Sequence, residues 1–235
     1  MIDSIHKYHL DQWSKEKEST KEFLKFFRSE LSNANRILDL GSGAGAVTTY
    51  IAKEFLSTNF IGIDISPELI NLAMVMSSKE KLKNLDFQIG DWLNCEFPCE
   101  DIDGVMSIAT LSWLSEIVSP MTCLFSKVKP KWIALSSLFY EGDISCRIEV
   151  NEHKKNSTSF YNVYSIQELE RLANKFHYKI TRFQSFEIGI DIARPIDIDS
   201  MGTYTVRVED FTREKRLQIS GPLNMPWYFV LLTRG

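Results

Sequence analysis

The sequence predicts an α/β fold: a doubly wound, mostly parallel, seven-stranded sheet with helices on both faces. Three observations predict it. Short apolar runs of strand length alternate with stretches whose apolar residues recur at helical spacing. The first run, Ile37-Leu38-Asp39-Leu40, passes straight into a glycine turn, Gly41-Ser42-Gly43-Ala44-Gly45. The second run ends on an acid, Asp64. Parallel neighbours need a crossover connection, and a helix is the usual one.

Residues 3–16 read as a weakly helical segment carrying Tyr8 and Trp13. Ser19-Thr20-Lys21-Glu22 has the form of a capping box, opening a helix with Phe23, Phe26, Phe27 and Leu31 on one stripe. Residues 36–40 form the first strand. After the glycine turn, Val47, Ile51 and Phe55 recur every four residues. Residues 59–64 form the second strand. Ser66-Pro67-Glu68 then starts a helix well: Ser66 caps, Pro67 suits the first turn, and Glu68 complements the positive helix end. Strands follow at 85–89, 103–108 and 132–139, with a helix at 112–128 bent near Pro120. Residues 140–164 break the rhythm and read as an insertion. Ser165-Ile166-Gln167-Glu168 is a second capping box, with Leu169, Leu172 and Phe176 as its stripe. Residues 178–183 and 227–232 complete the strands, and 203–208 with 216–220 add a β-hairpin near the C-terminus.

The balance of residues narrows the function. The chain has 235 residues, a formal charge of −4 and 44% apolar residues. That acidic balance gives no broad basic footprint for nucleic acid, so no nucleic-acid partner is expected. No run of about 18 apolar residues is present, so no membrane span is expected. The start, Met1-Ile2-Asp3-Ser4-Ile5-His6, lacks a signal-peptide pattern. Cys95, Cys99, Cys123 and Cys146 form no CxxC pair, and four scattered histidines add no metal-ligand spacing. No metal site is expected, the thiols read as reduced, and the expected location is the cytoplasm.

Strand, glycine turn and helix build a cradle for a charged, adenosine-containing ligand. Glycines let the backbone turn sharply and let a ligand approach closely. An acid ending the second strand can accept from both ribose hydroxyls. Two ligands compete for such a cradle. The dinucleotide fingerprint is G-x-G-x-x-G, whereas Gly41, Gly43 and Gly45 are spaced G-x-G-x-G with an acid at 39. A pyrophosphate disfavours a nearby carboxylate, and a cationic sulfonium amino acid tolerates one. The spacing and Asp39 therefore favour S-adenosylmethionine over NAD.

On these residues the chain resembles the class I, Rossmann-like S-adenosylmethionine-dependent methyltransferases. The resemblance rests on 39–45, Asp64, Gly90-Asp91-Trp92 and the region 103–111, and covers roughly 35–135. It implies an antiparallel last strand, S-adenosylmethionine as cofactor and S-adenosylhomocysteine as product. It implies that Gly41, Ser42, Gly43 and Gly45 lie against the methionyl part, with Asp39 near the turn. Asp64 would take the ribose, Ile65 would lie on the adenine, and Asp91 would accept from the adenine amino group. Trp92 would pack nearby or belong to the core. Ile108 and Ala109 would line the floor where the methyl emerges. Tyr8 and Trp13 would close over the cofactor, or simply anchor their segment. The whole chain, 1–235, reads as one domain: a helical cap at 1–34, a cofactor-binding core at 35–139, and acceptor-side elaborations at 140–164 and 187–226.

Methyl transfer is an in-line displacement, so the protein mainly aligns two reactants and excludes water. A hydroxyl acceptor needs a base, worth about 10²–10⁴-fold. Tyr140, Glu141 and Asp191 are the candidates. Tyr161, Tyr164, His153 and His177 are weaker ones, and Trp113 either packs or touches the substrate. The stretches 137–142, 202–205 and 216–228 are also similar to small-molecule methyltransferases of bacterial surface-polysaccharide biosynthesis. That similarity implies a small acceptor: a sugar, a sugar-nucleotide, or a phosphorylated or phosphoramidate-type metabolite. Arg194, Arg207 and Arg216 are then the expected anion partners. Methylation of protein or nucleic acid, and cofactor binding without turnover, are the alternatives. A homodimer and a monomer both stay open.

Overall fold

The computed structural model describes residues 4–199, 201–209 and 214–235. The first three positions of the polar start, and positions 200 and 210–213 of the C-terminal elaboration, lie outside the described residues. In chain order the elements are α1 (Ser4–Ser14), α2 (Glu18–Leu31), β1 (Arg36–Leu40), α3 (Ala46–Glu54), β2 (Asn59–Asp64), α4 (Pro67–Ser78), β3 (Leu85–Ile89) and β4 (Gly104–Ile108). A 3-10 turn at Leu111–Trp113, α5 (Val118–Cys123), a π turn at Leu124–Val128 and β5 (Trp132–Tyr140) follow. The second half holds β6 (Glu149–Glu152), β7 (Ser157–Phe160), β8 (Tyr164–Ser165), α6 (Ile166–Asn174), β9 (Tyr178–Ser185), β10 (Thr203–Glu209), β11 (Glu214–Ser220), β12 (Leu223–Asn224) and β13 (Trp227–Arg234).

The main sheet runs β3-β2-β1-β4-β5-β13-β9, with the short β8 beside β5. Its first five strands are parallel, and β13 is antiparallel to both β5 and β9. The doubly wound sheet and the antiparallel last strand are therefore as expected. So is the hairpin: β10 and β11 pair antiparallel, joined by β12. The strand order reverses between β1 and β4, which leaves a crevice at their carboxyl ends. The insertion after β5 contains its own hairpin, β6–β7.

Each face of the sheet has its own core. On one face, Phe23, Phe27 and Leu31 of α2 are fully buried with Ile51 of α3, against Trp132 of β5 and Phe229 of β13. On the other, Leu124, Phe125, Leu169 and Tyr178 pack on Leu135, Phe139 and Val230. Each such large side chain stabilises by about 1.5–3 kcal/mol on burial. Two helix starts follow the sequence: the Ser66 and Ser165 hydroxyls accept from the amides of Leu69 and Glu168.

Three expectations need correction. The box at Ser19 does not cap. Helix α2 begins at Glu18 with Lys17 at its N-cap and no side-chain cap, because the Lys17 carbonyl already accepts from the Lys21 amide. The helix expected over 112–128 is broken before Val118, not at Pro120. Pro120 falls in the first turn of α5, where a missing N–H costs nothing, and Glu116 accepts from the Val118 and Ser119 amides. The cysteines are not all reduced: Cys95 and Cys123 form a disulfide between the β3–β4 loop and α5. Their separation of 28 residues hid a contact that the fold creates. Cys99 and Cys146 are free thiols.

Candidate cofactor site

The site is built where β1 ends. Gly41, Gly43 and Gly45 all have positive φ (76°, 55° and 78°), and the Gly41 and Ser42 amides donate to the Ile63 carbonyl of β2. At Gly45 a side chain would also run into the Phe87 ring and come within 2.9 Å of the Ala73 methyl, so the third glycine lets α3 press onto its neighbours. At Gly43 a Cβ would come 2.7 Å from His9 Cε1. The imidazole of α1 thus lies directly on the turn.

Three acids lie at these strand ends. Asp64 ends β2; its carboxylate accepts from the Gly43 amide at 2.8 Å and the Ser66 amide at 2.9 Å. Both bonds leave lone pairs on each oxygen. Asp39 is 3% exposed and accepts from Thr48 Oγ1 at 2.6 Å. Burial pushes its pKa up to about 7, the Thr48 hydroxyl opposes that rise, and the Asp64 charge adds to it. Asp91 follows β3, and its carboxylate accepts from the Leu93 amide and the Asn94 side chain.

Two apolar side chains stand open beside these acids. Ile65 follows β2 and is 65% exposed; Ile89 ends β3 and is 56% exposed. Asp64 and Ile89 are register partners. Ile108, at the end of β4, is half-buried, and Ala109 after it has a φ of 56°. Thr110 links this floor to the turn, donating to the Ile108 and Gly41 carbonyls. The buried Ser42 Oγ has no partner among the described residues.

Helix α1 reaches the same turn. Trp13 Nε1 donates to the Ala44 carbonyl at 3.0 Å. Tyr8 is exposed, makes an edge contact with the His9 ring and accepts from Lys17 Nζ. The structure thus brings Asp39, Gly41, Ser42, Gly43, Gly45, Asp64, Ile65, Asp91, Ile108 and Trp13 to the carboxyl ends of β1–β4. Trp92 is not among them. It is 5% exposed in the core, with Nε1 donating to the Pro120 carbonyl, because the Cys95–Cys123 loop folds onto α5. His9, Thr48 and Thr110 were not anticipated. The signal for Thr48 is a hydroxyl in the first helical turn after an acid-bearing strand.

The residues expected on the acceptor side divide differently. Tyr140 ends β5, is 48% exposed and packs on Gly142. Glu141 accepts from the Tyr228 hydroxyl, so its carboxylate turns to the side of the sheet where Tyr228 stacks on Phe183. Asp191 does not fit a base. Arg207 and Arg216 both bind it and hold its pKa down to about 2. A carboxylate so stabilised in its charged form takes up no proton at neutral pH. The same bonds alter the expected anion partners. Arg207 is shared between Asp191 and Glu214, Arg216 is held by Asp191, and Arg194 lies over the Tyr204 ring. Tyr164 is buried, its hydroxyl tied to Asn162 and Leu114. His177 sits at the far end of the sheet, where its carbonyl accepts from Gly235, and His153 lies exposed in the β6–β7 turn. Tyr161, Trp113 and Trp227 meet in one cluster: the Trp113 ring lies 5.2 Å from Tyr161 and 5.8 Å from Trp227.

Comparison with known proteins places this arrangement. A family described as a methyltransferase domain matches residues 31–191, more than half of the chain. The malonyl-[acyl-carrier protein] O-methyltransferase of Priestia megaterium is 23% identical over 177 residues, covering 69% of this chain and 62% of the relative. The chain spans less than two thirds of the length of the curated relatives it matches first. Among solved structures, the YcgJ protein of Bacillus subtilis has a TM-score of 0.62 at 13% identity, covering 92% of this chain and 99% of that one. The magnesium protoporphyrin IX methyltransferase of Synechocystis PCC 6803, solved with bound SAH, has a TM-score of 0.58 at 13% identity, covering 93% and 83%. No helix among the described residues is long and apolar enough to cross a membrane.

Proposed function

The chain belongs to the methyltransferase-domain family, and on that premise we propose that it moves a methyl group from S-adenosylmethionine to an oxygen or nitrogen of a small, polar acceptor. One observation carries the cofactor: the Asp64 carboxylate, held by the Gly43 and Ser66 amides, stands beside three left-handed glycines. The residues fit this group. Three left-handed glycines leave the turn without side chains, and the exposed Ile65 and Ile89 offer two apolar contacts at the neighbouring strand ends.

S-adenosylmethionine supplies a methyl carbon activated by a positive sulfur. The remaining tasks fall to the chain. Asp64 accepts from the ribose hydroxyls, and Asp91 accepts from the adenine amino group. Ile65 covers the adenine ring, and Ile108 lines the floor. Asp39 stays close to the turn and supplies negative charge when ionised. Tyr8 and Trp13 close the site and exclude water. Tyr140 and Glu141 are the groups proposed to take the acceptor's proton, with Tyr140 the more openly placed. The resemblance read in 137–142, 202–205 and 216–228 to surface-polysaccharide methyltransferases supports a sugar or sugar-nucleotide acceptor in that biosynthetic setting. The committed arginines weaken the phosphate-directed version of it. The setting proposed is the cytoplasm, where the Cys95–Cys123 bond would have to survive a reducing thiol pool.

The test is incubation with S-adenosylmethionine and a panel of sugars and sugar-nucleotides, read by mass spectrometry. A gain of one methyl on a panel member is the expected result. A gain on RNA or protein alone overturns the small-molecule reading. Cofactor binding without any transfer makes the chain a binding protein.

A further inference from the structure

The aromatic cluster beside the crevice is organised more tightly than packing requires. Trp113 ends the 3-10 turn that follows β4, and Trp227 opens β13 opposite Leu138 of β5. Tyr161 comes from the insertion and is pinned there, because the Asn162 amide donates to the Ser112 carbonyl at 2.8 Å. Ser112 and Ser137 share a buried hydroxyl contact of 2.6 Å, and the Leu138 amide donates to Ser112 Oγ. These bonds fix the 3-10 turn to β5 and so fix the angle between the two indoles. The Tyr161 hydroxyl neighbours Ser220 and Trp113.

Two properties of this wall point to a ligand. First, Trp227 Nε1 is buried with no hydrogen-bond partner among the described residues. An indole N–H only donates, and leaving one buried and unpaired costs about 1–3 kcal/mol. Secondly, no cation lies over the wall among the described residues, and the charge that reaches Tyr161 is that of the Glu152 carboxylate. The cation–ring contacts among the described residues fall on Tyr8, Phe55, Phe26 and Tyr204, not on Trp113, Tyr161 or Trp227.

We propose that Trp113, Tyr161 and Trp227 form the acceptor-recognition wall, and that Trp227 Nε1 donates to an oxygen on the edge of an uncharged ring. The ring turns an apolar face to the indoles, as a pyranose or a phenol does. This inference rests on the methyl-transfer reading only for calling the ligand an acceptor. Thr110 provides the link to the cofactor cradle: it precedes the 3-10 turn and donates to the Gly41 carbonyl.

The full chain, labelled with 15N at its tryptophan indoles, is titrated with methyl β-D-glucopyranoside, methyl α-D-mannopyranoside, catechol and inorganic phosphate. Each titration is run with and without S-adenosylhomocysteine. The Trp227 signal is assigned by its loss in Trp227→Phe. A neutral ring probe is expected to shift the Trp113 and Trp227 signals, and Trp227→Phe is expected to bind that probe about three- to tenfold more weakly at an unchanged melting temperature. A shift with a glucoside or mannoside identifies a saccharide face, and a shift with catechol alone identifies a planar one. A shift with phosphate alone, no shift with any neutral ring, or equal affinity in Trp227→Phe overturns the wall. Indole signals that do not move on adding S-adenosylhomocysteine count against the cofactor reading instead, and the cofactor-free titration still decides the wall.

Discussion

The cofactor cradle and the acceptor side are held together by different forces. Around the cradle, contacts come from backbone amides, buried hydroxyls and close packing at 39–48 and 61–66, a short span of chain. On the proposed acceptor side, exposed ion pairs and ring contacts do the joining, as Asp191 joins Arg207 and Arg216. Buried, close-packed geometry resists change, and exposed ion pairs are worth little each. The cradle should therefore respond sharply to single substitutions and the hairpin only mildly.

The largest effect is expected at Gly45. Gly45→Val places a branched side chain at a φ of 78° against Phe87 and Ala73. Strain and overpacking together should cost about 3–5 kcal/mol of unfolding free energy in urea titration. A loss under 1 kcal/mol would show that the cradle is softer than its geometry.

Asp39 should give a pH signature. Its carboxyl ionises near 3.9 in an unfolded chain and near 7 here. The folded state thus holds the extra proton between those values, and its stability falls as pH rises through that window. A cationic ligand favours the ionised form, so cofactor affinity should rise with pH, about tenfold from pH 6 to pH 8. Asp39→Asn should flatten both profiles. A pH-independent affinity in the wild type would remove Asp39 from the ligand's surroundings.

The smallest effect is expected on the hairpin. Asp191→Ala leaves Arg207 and Arg216 facing each other across β10 and β11. Global stability should change by less than about 1 kcal/mol, because the pairs are exposed. Limited proteolysis should nevertheless cut faster within 187–199. Unchanged cutting would show that the clamp does not hold that segment.

This contrast also explains what was legible in the sequence. Ser66, Pro67 and Ser165 were readable because caps depend on residue type a few positions apart. The glycine spacing and Asp64 were readable because the turn and strand end are local. The cap assigned to Ser19 failed because any backbone carbonyl one turn earlier can start a helix. Trp92 failed as a ligand contact because a disulfide 28 residues long folds its loop inward. Asp191 failed as a base because its arginines arrive from a hairpin. A register drawn for that hairpin pairs Arg207 with Arg216, and two facing cations call for an acid between them. His9 on Gly43 and the unpaired Trp227 indole depend on long-range packing and left no local signal.

The most direct measurement is a calorimetric titration of S-adenosylhomocysteine into the wild-type chain and into Asp64→Ala. Wild type should bind at one site per chain. Asp64→Ala loses the charged acceptor for two amides and for the ribose, and should bind about a hundredfold more weakly, with its near-ultraviolet circular dichroism retained. Equal affinity in the two proteins, or no heat in the wild type, would contradict the site.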